Sequence, residues 1–250
     1  MQPPCKAARL RNEGSAALQY TKNEGIVAND SRITLFAGHY GSGKTNIAVS
    51  YALDLRKRHA RVAIADLDIV NPYFRTKDGE KALEAAGIQI ISSVYANSNL
   101  DAPAMPPDAV RLFDDKEIFG VIDLGGDDRG AYAMGRYAER LTAEADAQIL
   151  FVLNRFRPLT TTPASALEVL REIEQAAGFK FTGLVNNSNL GAETTRETVL
   201  SSLAYADAVA DLSGLPVVCT TVKADLCDEL RNDVANLFPV HIMQKESWRM

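Results

Sequence analysis

The stretch Gly38-His39-Tyr40-Gly41-Ser42-Gly43-Lys44-Thr45 constrains this 250-residue chain more than any other. It meets the pattern G-x-x-x-x-G-K-[ST] at every fixed position. Glycines at 38, 41 and 43 let the backbone turn sharply and come close to an anion, because no Cβ stands in the way. The exposed N–H groups of such a loop, with the positive end of a following helix, form a cradle for phosphate. Lys44 adds a cation for the β and γ phosphates, and Thr45 offers a hydroxyl to Mg²⁺. The pattern gains force only between a strand and a helix. Residues 33–37 are a short apolar run ending at Gly38, and Ile47, Tyr51 and Leu55 recur four apart on one helical face. Arg56, Lys57 and Arg58 suit the negative end of that helix. A merely tight strand-to-helix turn would have no need of the Lys-Thr pair.

The rest of the chain continues the alternation. Apolar runs at residues 62–65, 88–91, 118–122, 149–153, 181–185 and 217–218 read as buried strands. Residues 164–177 read as a helix closed by Gly178, and a second helix is expected from Glu193 to about Leu212. Buried strands alternating with helices predict an α/β fold: three layers, with a mainly parallel seven- or eight-stranded sheet and helices on both faces. Sheets of this kind bind ligands at the carboxyl ends of their strands. Gly38, Asp66, Asp68, Asp123, Asn154 and Asn187 all fall at those ends. Residues 31–250 are expected to form one nucleotide-binding domain. Residues 1–30, with Pro3-Pro4 and no periodicity, are expected to be a poorly ordered extension, and residues 98–107, with three prolines, a loop.

The acidic residues at two strand ends supply the metal chemistry. Asp123 closes an apolar strand and is followed by Gly125 and Gly126, the arrangement that places a carboxylate on Mg²⁺. Asp66 and Asp68 flank Leu67, so strand alternation points both the same way. Asp66 is assigned with Thr45 and Asp123 to the metal region. Asp68 is assigned, with Lys44, to catalysis, as the group that positions the attacking water. The expected nucleotide contacts are Gly38, Gly41, Ser42, Gly43, Lys44, Thr45, Asn46 and Asn187.

Composition excludes several other classes. A net charge of −5 and a pI near 5.3 leave no basic footprint for nucleic acid. The three cysteines, Cys5, Cys219 and Cys227, are too far apart for a zinc knuckle and odd in number, which argues against a disulfide framework and for a reducing, cytoplasmic location. Cys219 reads as a small buried apolar residue. No segment has the length and apolarity of a transmembrane helix, and the first 30 residues lack the apolar centre of a secretory signal.

The order of motifs resembles the MinD/ParA group of P-loop ATPases, a SIMIBI-class family that includes the nitrogenase iron protein, cobyrinate-synthase-type domains and metallocentre-maturation ATPases. The residues that carry the resemblance are Gly38 to Thr45, then Asp66-Leu67-Asp68, then Asp123 to Gly126, over roughly residues 32–230. It implies ATP with Mg²⁺ and a hydrolytic switch cycle that is slow without a partner protein. By position, Asp68 resembles the water-orienting aspartate of switch I, and residues 123–126 resemble switch II. Asn187 resembles the asparagine that reads adenine, and residues 221–225 the last base-contacting loop. MinD and ParA carry a lysine at the second P-loop position that reaches across a dimer. This chain has His39, shorter and mostly neutral at pH 7, so homodimerisation by that lysine is not implied. Arg75, Arg129, Arg155 and Arg157 stand near strand ends or switches, where one of them could replace that charge. Residues 68–75, apolar and aromatic, are expected to couple nucleotide state to a partner surface. Two alternative functions remain: a cobyrinate-type ATP-dependent ligase, ranked lower because 250 residues leave no room for a glutaminase domain, and a partitioning or positioning ATPase. The tail 237–250 is a poor match to a membrane-binding amphipathic helix, because Pro239 interrupts it.

Overall fold

The computed structural model describes residues 30–67, 77–92, 107–126, 131, 134–135 and 137–241. Its strands are β1 (Ile33–Ala37), β2 (Val62–Leu67), β3 (Gln89–Ser92), β4 (Phe119–Leu124), β5 (Ala147–Leu153), β6 (Gly183–Asn186), β7 (Val217–Lys223) and β8 (Leu237–Val240). They form one eight-stranded sheet in the order β3-β2-β4-β1-β5-β6-β7-β8. Every pairing is parallel. The α/β architecture is therefore the one that the alternating apolar runs predict, with β8 added to the seven strands those runs mark.

The described α-helices include α1 (Lys44–Arg58), α2 (Lys77–Ala85), α3 (Arg111–Asp114), α4 (Ala138–Ala143), α5 (Pro163–Ala177), α6 (Arg196–Ser213) and α7 (Cys227–Leu230). They cover both faces because strand side chains alternate. On β1, Leu35 and Ala37 join a core with Ala166 and Leu170 of α5 and Ala206 and Val209 of α6. Phe36, between them, joins the opposite core with Ile47, Tyr51 and Leu55 of α1. The four-residue spacing read in α1 is thus the buried stripe of that helix. Tyr51 packs edge-to-face on Phe36 with ring centroids 5.7 Å apart and on Phe238 at 6.3 Å. Its hydroxyl accepts a hydrogen bond from Thr34 at 3.3 Å, and burial pushes its pKa up to about 12.

Three expectations shift. The helix expected from Glu193 begins at Arg196, because a capping box between Thr195 and Thr198 sets its start and residues Gly191–Glu193 form a separate 3₁₀ turn. The run at 217–218 is the opening of a seven-residue strand whose later members, Cys219, Thr220, Thr221 and Val222, are buried. Part of the tail is an edge strand, β8, which includes Pro239 paired in register with Val222. Proline removes a ladder donor, so it is tolerated at an edge where one side needs none. Residues 1–29, 98–106 and 242–250, on which the extension, loop and most of the tail readings fall, lie outside the described residues, and Pro107 opens a 3₁₀ turn.

Candidate functional site

Strand order decides where a site forms. β1 lies between β4 and β5, and its carboxyl end delivers the P-loop into α1. On one side stand the ends of β4 and β2, and on the other the ends of β5, β6 and β7. The loop has the backbone its glycines predict: Gly38, Gly41 and Gly43 adopt φ of 153°, 76° and 91°. At Gly38 the reason is also steric, since a Cβ there would stand 2.7 Å from the Val152 carbonyl oxygen. At Gly43 a Cβ would stand 2.2 Å from the Asn187 side-chain nitrogen.

Toward β4 and β2, the Thr45 hydroxyl donates to Asp123 Oδ2 at 2.6 Å, and Asp123 is 1% exposed. Asp66 pairs in register with Asp123, so parallel strands set the two carboxylates side by side on one face of the sheet. Lys44, buried despite its charge, has Nζ 3.4 Å from the His39 carbonyl. The three residues read as a metal region from sequence therefore converge. Among the described residues no group of three or more His, Cys, Asp and Glu side chains clusters, so any cation here would be held by a hydroxyl, carboxylates and its ligand's own oxygens. That donor set is hard oxygen, as Mg²⁺ requires. The fit to a phosphate is carried by the glycine cradle and by Ser42 Oγ, which is buried and has no hydrogen-bond partner among the described residues. Asp68 lies outside the described residues, as do Arg75 and Arg129.

The segment after β4 folds back on the loop. A Cβ at Gly126 would stand 2.6 Å from Tyr40 N and 2.8 Å from Tyr40 Cα. Backbone meets backbone there, and only glycine fits.

Toward β6 and β7, Asn187 bridges three elements. Its Nδ2 donates to the Ser42 carbonyl at 2.6 Å, and its Oδ1 accepts from the Thr221 hydroxyl. One N–H and one lone pair of the amide remain. Asn186 instead points into the protein, where its amide donates to Ser202 Oγ at 2.9 Å. A cavity of about 190 Å³ opens beside Asn187 and is lined by Asn46, Arg157, Asn189, Thr221 and Lys223 among others. The expected contacts Asn46 and Asn187 and the expected loop at 221–225 thus meet in one place. Sequence inspection missed the P-loop partners of Arg157 and Gly126, because both contacts join distant segments. A larger cavity, about 450 Å³, opens at the amino ends of β5 and β6, away from the P-loop. Its two carboxylates, Glu144 and Glu174, are already paired with Arg32 and Lys180, so the smaller cavity is the functional candidate.

Sheet order, phosphate loop and paired strand-end carboxylates together define the α/β P-loop NTPase fold. No protein-family model matches the chain, and no curated protein matches it in sequence. Solved structures match it in fold. The signal recognition particle 54 kDa protein from Aeropyrum pernix K1, solved in complex with GDP, superposes with a TM-score of 0.52 at 17% identity, covering 77% of this chain and 42% of that one. Chloroplast FtsY from Physcomitrella patens gives 0.52 at 18% identity, covering 80% of this chain and 61% of that one. The cell division protein ftsY from Thermotoga maritima gives 0.51 at 18% identity, covering 79% and 66%. The chain thus spans 42% to 66% of the length of these structures. The likeness is one of fold. It supports the α/β P-loop NTPase fold and does not single out the MinD/ParA branch.

Proposed function

We propose that the chain is an ATP-binding, Mg²⁺-dependent P-loop hydrolase that acts as a nucleotide switch on a partner protein, with residues 31–250 as its nucleotide-binding domain. The observation that carries this reading is the 2.6 Å hydrogen bond from Thr45 to Asp123 directly below a glycine cradle. It joins the loop that would hold the phosphates to the strand end that would hold the metal. Gly38, Gly41, Ser42, Gly43 and Asn46 bind the nucleotide, chiefly through backbone N–H groups. Lys44 neutralises charge on the terminal phosphates. Thr45, Asp66 and Asp123 hold Mg²⁺, which when bound neutralises charge that develops on the transferring phosphoryl group. Asp68 positions the water. Gly126, packed on Tyr40, is where a terminal phosphate would be sensed, since a group entering there must displace it.

The cavity chemistry supports adenine over guanine. Guanine turns adjacent N–H donors to its reader, which calls for a carboxylate. Adenine offers one donor and one acceptor, which a carboxamide matches. The described residues lining the cavity include Asn46, Asn187 and Asn189 but no carboxylate. Because the signal recognition particle protein was solved with GDP, GTP is the necessary competitor. A partner fits the surface. Tyr40, Leu159 and Leu190 are 61%, 55% and 47% exposed, and they follow β1, β5 and β6 at the same sheet edge. A homodimer over this edge would meet His39 rather than a lysine.

The test is calorimetric titration of ATP and GTP with Mg²⁺, followed by phosphate release. ATP should bind tighter than GTP, Lys44→Ala should bind neither, and Asp68→Ala should bind ATP without hydrolysing it. Preference for GTP would overturn the base assignment, and hydrolysis by Asp68→Ala at the wild-type rate would overturn the role given to that residue.

A further inference from the structure

Arg157 sits on a surface loop after β5, where an arginine is ordinarily a solvated charge. Its loop is built more firmly than that role needs. Asn154 is fully buried, and its carbonyl accepts from Arg157 N at 3.1 Å and from Thr160 Oγ1 at 2.7 Å. Its side chain accepts from Phe156 N at 3.1 Å and donates to the Asn189 carbonyl at 3.3 Å. Pro158 opens a 3₁₀ turn whose Thr160 N–H donates back to Arg157 at 3.0 Å. The Tyr205 hydroxyl closes the set on the Thr160 carbonyl at 2.6 Å. The backbone that carries Arg157 is held on both sides.

From that base the side chain crosses to the P-loop. Arg157 Nε donates to the Gly41 carbonyl at 2.8 Å. A Cβ at Gly41 would lie 3.4 Å from Nε and 3.5 Å from Cζ, so the guanidinium lies along the loop. Arg157 has no acidic partner among the described residues, whereas Arg32, Arg58, Arg61, Arg140, Arg196 and Arg231 each pair with a carboxylate. Arg155, two residues away, serves another end: it donates to the Ser201 carbonyl and lies 5.6 Å and 5.9 Å from the Phe156 and Tyr205 rings.

Sheet order says which part of a nucleotide Arg157 meets. The carboxylates for metal stand on the β4 and β2 side of β1, and Arg157 stands on the β5 side. It lines the same cavity as Asn187, Asn189 and Thr221, away from Asp66 and Asp123. A terminal phosphate belongs to the first side and a base to the second. A guanidinium is planar and weakly hydrated, and it stacks on π faces as an ammonium does not.

We propose that Arg157, anchored by the Gly41 carbonyl, forms one wall of the base site and binds the nucleotide through the face of its purine. This rests on the nucleotide-binding reading above. Stacking is tolerant of base identity. Arg157 therefore contributes affinity, and the neighbouring carboxamides contribute choice between purines.

The test separates a base contact from a phosphate contact and from a simple brace for the P-loop. ATP, ADP and inorganic tripolyphosphate, each with Mg²⁺, are titrated into the whole chain and its Arg157→Ala variant. ATP and ADP should weaken alike, by roughly three- to fivefold for a cation–π contact of an exposed guanidinium, while tripolyphosphate stays unchanged. In steady-state hydrolysis KM should rise with kcat kept, since the base side does not touch the reacting bond. Arg157→Lys should recover less than half of the lost affinity, because it restores the charge without the plane. Equal weakening of ATP and tripolyphosphate, a fall in kcat, or unchanged ATP affinity each overturns the proposal while leaving nucleotide binding intact. If wild type binds ATP no better than Lys44→Ala does, the nucleotide reading falls and this one with it.

Discussion

Gly43 and Asn187 occupy one small space, and a double-mutant cycle should show it. In Gly43→Ala the new Cβ faces two obstacles. The φ of 91° disfavours a side chain, at about 1–2 kcal/mol for a residue in left-handed backbone. The Cβ would also stand 2.2 Å from Asn187 Nδ2, so the amide must leave. Its departure strands the Ser42 carbonyl and the Thr221 hydroxyl, both buried, at about 2 kcal/mol for the pair after partial relaxation. Gly43→Ala should therefore cost about 3–4 kcal/mol and Asn187→Ala about 2 kcal/mol. If independent, the two would sum to about 5–6 kcal/mol, yet the amide can be lost only once, so the double variant should stay near 3–4 kcal/mol. The coupling of about 2 kcal/mol exceeds the few tenths seen for independent sites. Urea unfolding by circular dichroism measures all four corners. Additive costs would refute the claim that Asn187 determines why residue 43 is glycine.

Two further outcomes follow from other contacts. Gly126→Ala has an unstrained backbone, but its Cβ meets Tyr40 backbone at 2.6 Å, so one of the two segments must shift, and it should weaken ATP at least tenfold and cost about 1–3 kcal/mol in urea unfolding; intact ATP affinity would show that this segment does not bear on the P-loop. Glu144 hydrogen-bonds Arg32 and Lys116, and Arg32 in particular holds its pKa down at about 2 against an ordinary 4.5. Because the folded value is the lower one, this stabilisation is fully present above the unfolded pKa and is lost as pH falls from about 4.5 toward 2. Glu144→Gln should be less stable at pH 7, since Arg32 is 7% exposed and keeps its charge, and its stability should fall less steeply below pH 5. Parallel acid limbs for variant and wild type would exclude Glu144 as a source of that slope.

Some of the site was legible because its signals are local. Gly38 to Thr45 spans eight consecutive residues that meet a phosphate-loop pattern at every fixed position, so the motif carries its reason in the sequence. Asp123 is marked by the apolar strand it closes. The alternation needs only short-range periodicity, and it marks seven of the eight strands, β7 from two valines alone; β8, with its internal proline, reads as part of a tail. β8 exists because Thr220 to Lys223 of β7 leave an edge to pair with, a fact about a neighbour and not about residues 237–240.

What tertiary structure alone decided is which strand ends face each other. Nothing near Asn187 in the chain says that its amide reaches Ser42, 145 residues earlier, or near Arg157 that it meets Gly41, 116 residues earlier. Asp66 and Asp123 could be read separately as strand-end acids, but their pairing depends on β2 lying next to β4. Local propensity and periodicity act over one turn or one strand. The order of strands is set by burying both faces of the sheet at once, a property of all eight strands together. The sequence by itself therefore determined the phosphate-loop motif at Gly38 to Thr45. Only the folded sheet decided that carboxylates would stand on one side of that loop, and an asparagine and an arginine on the other.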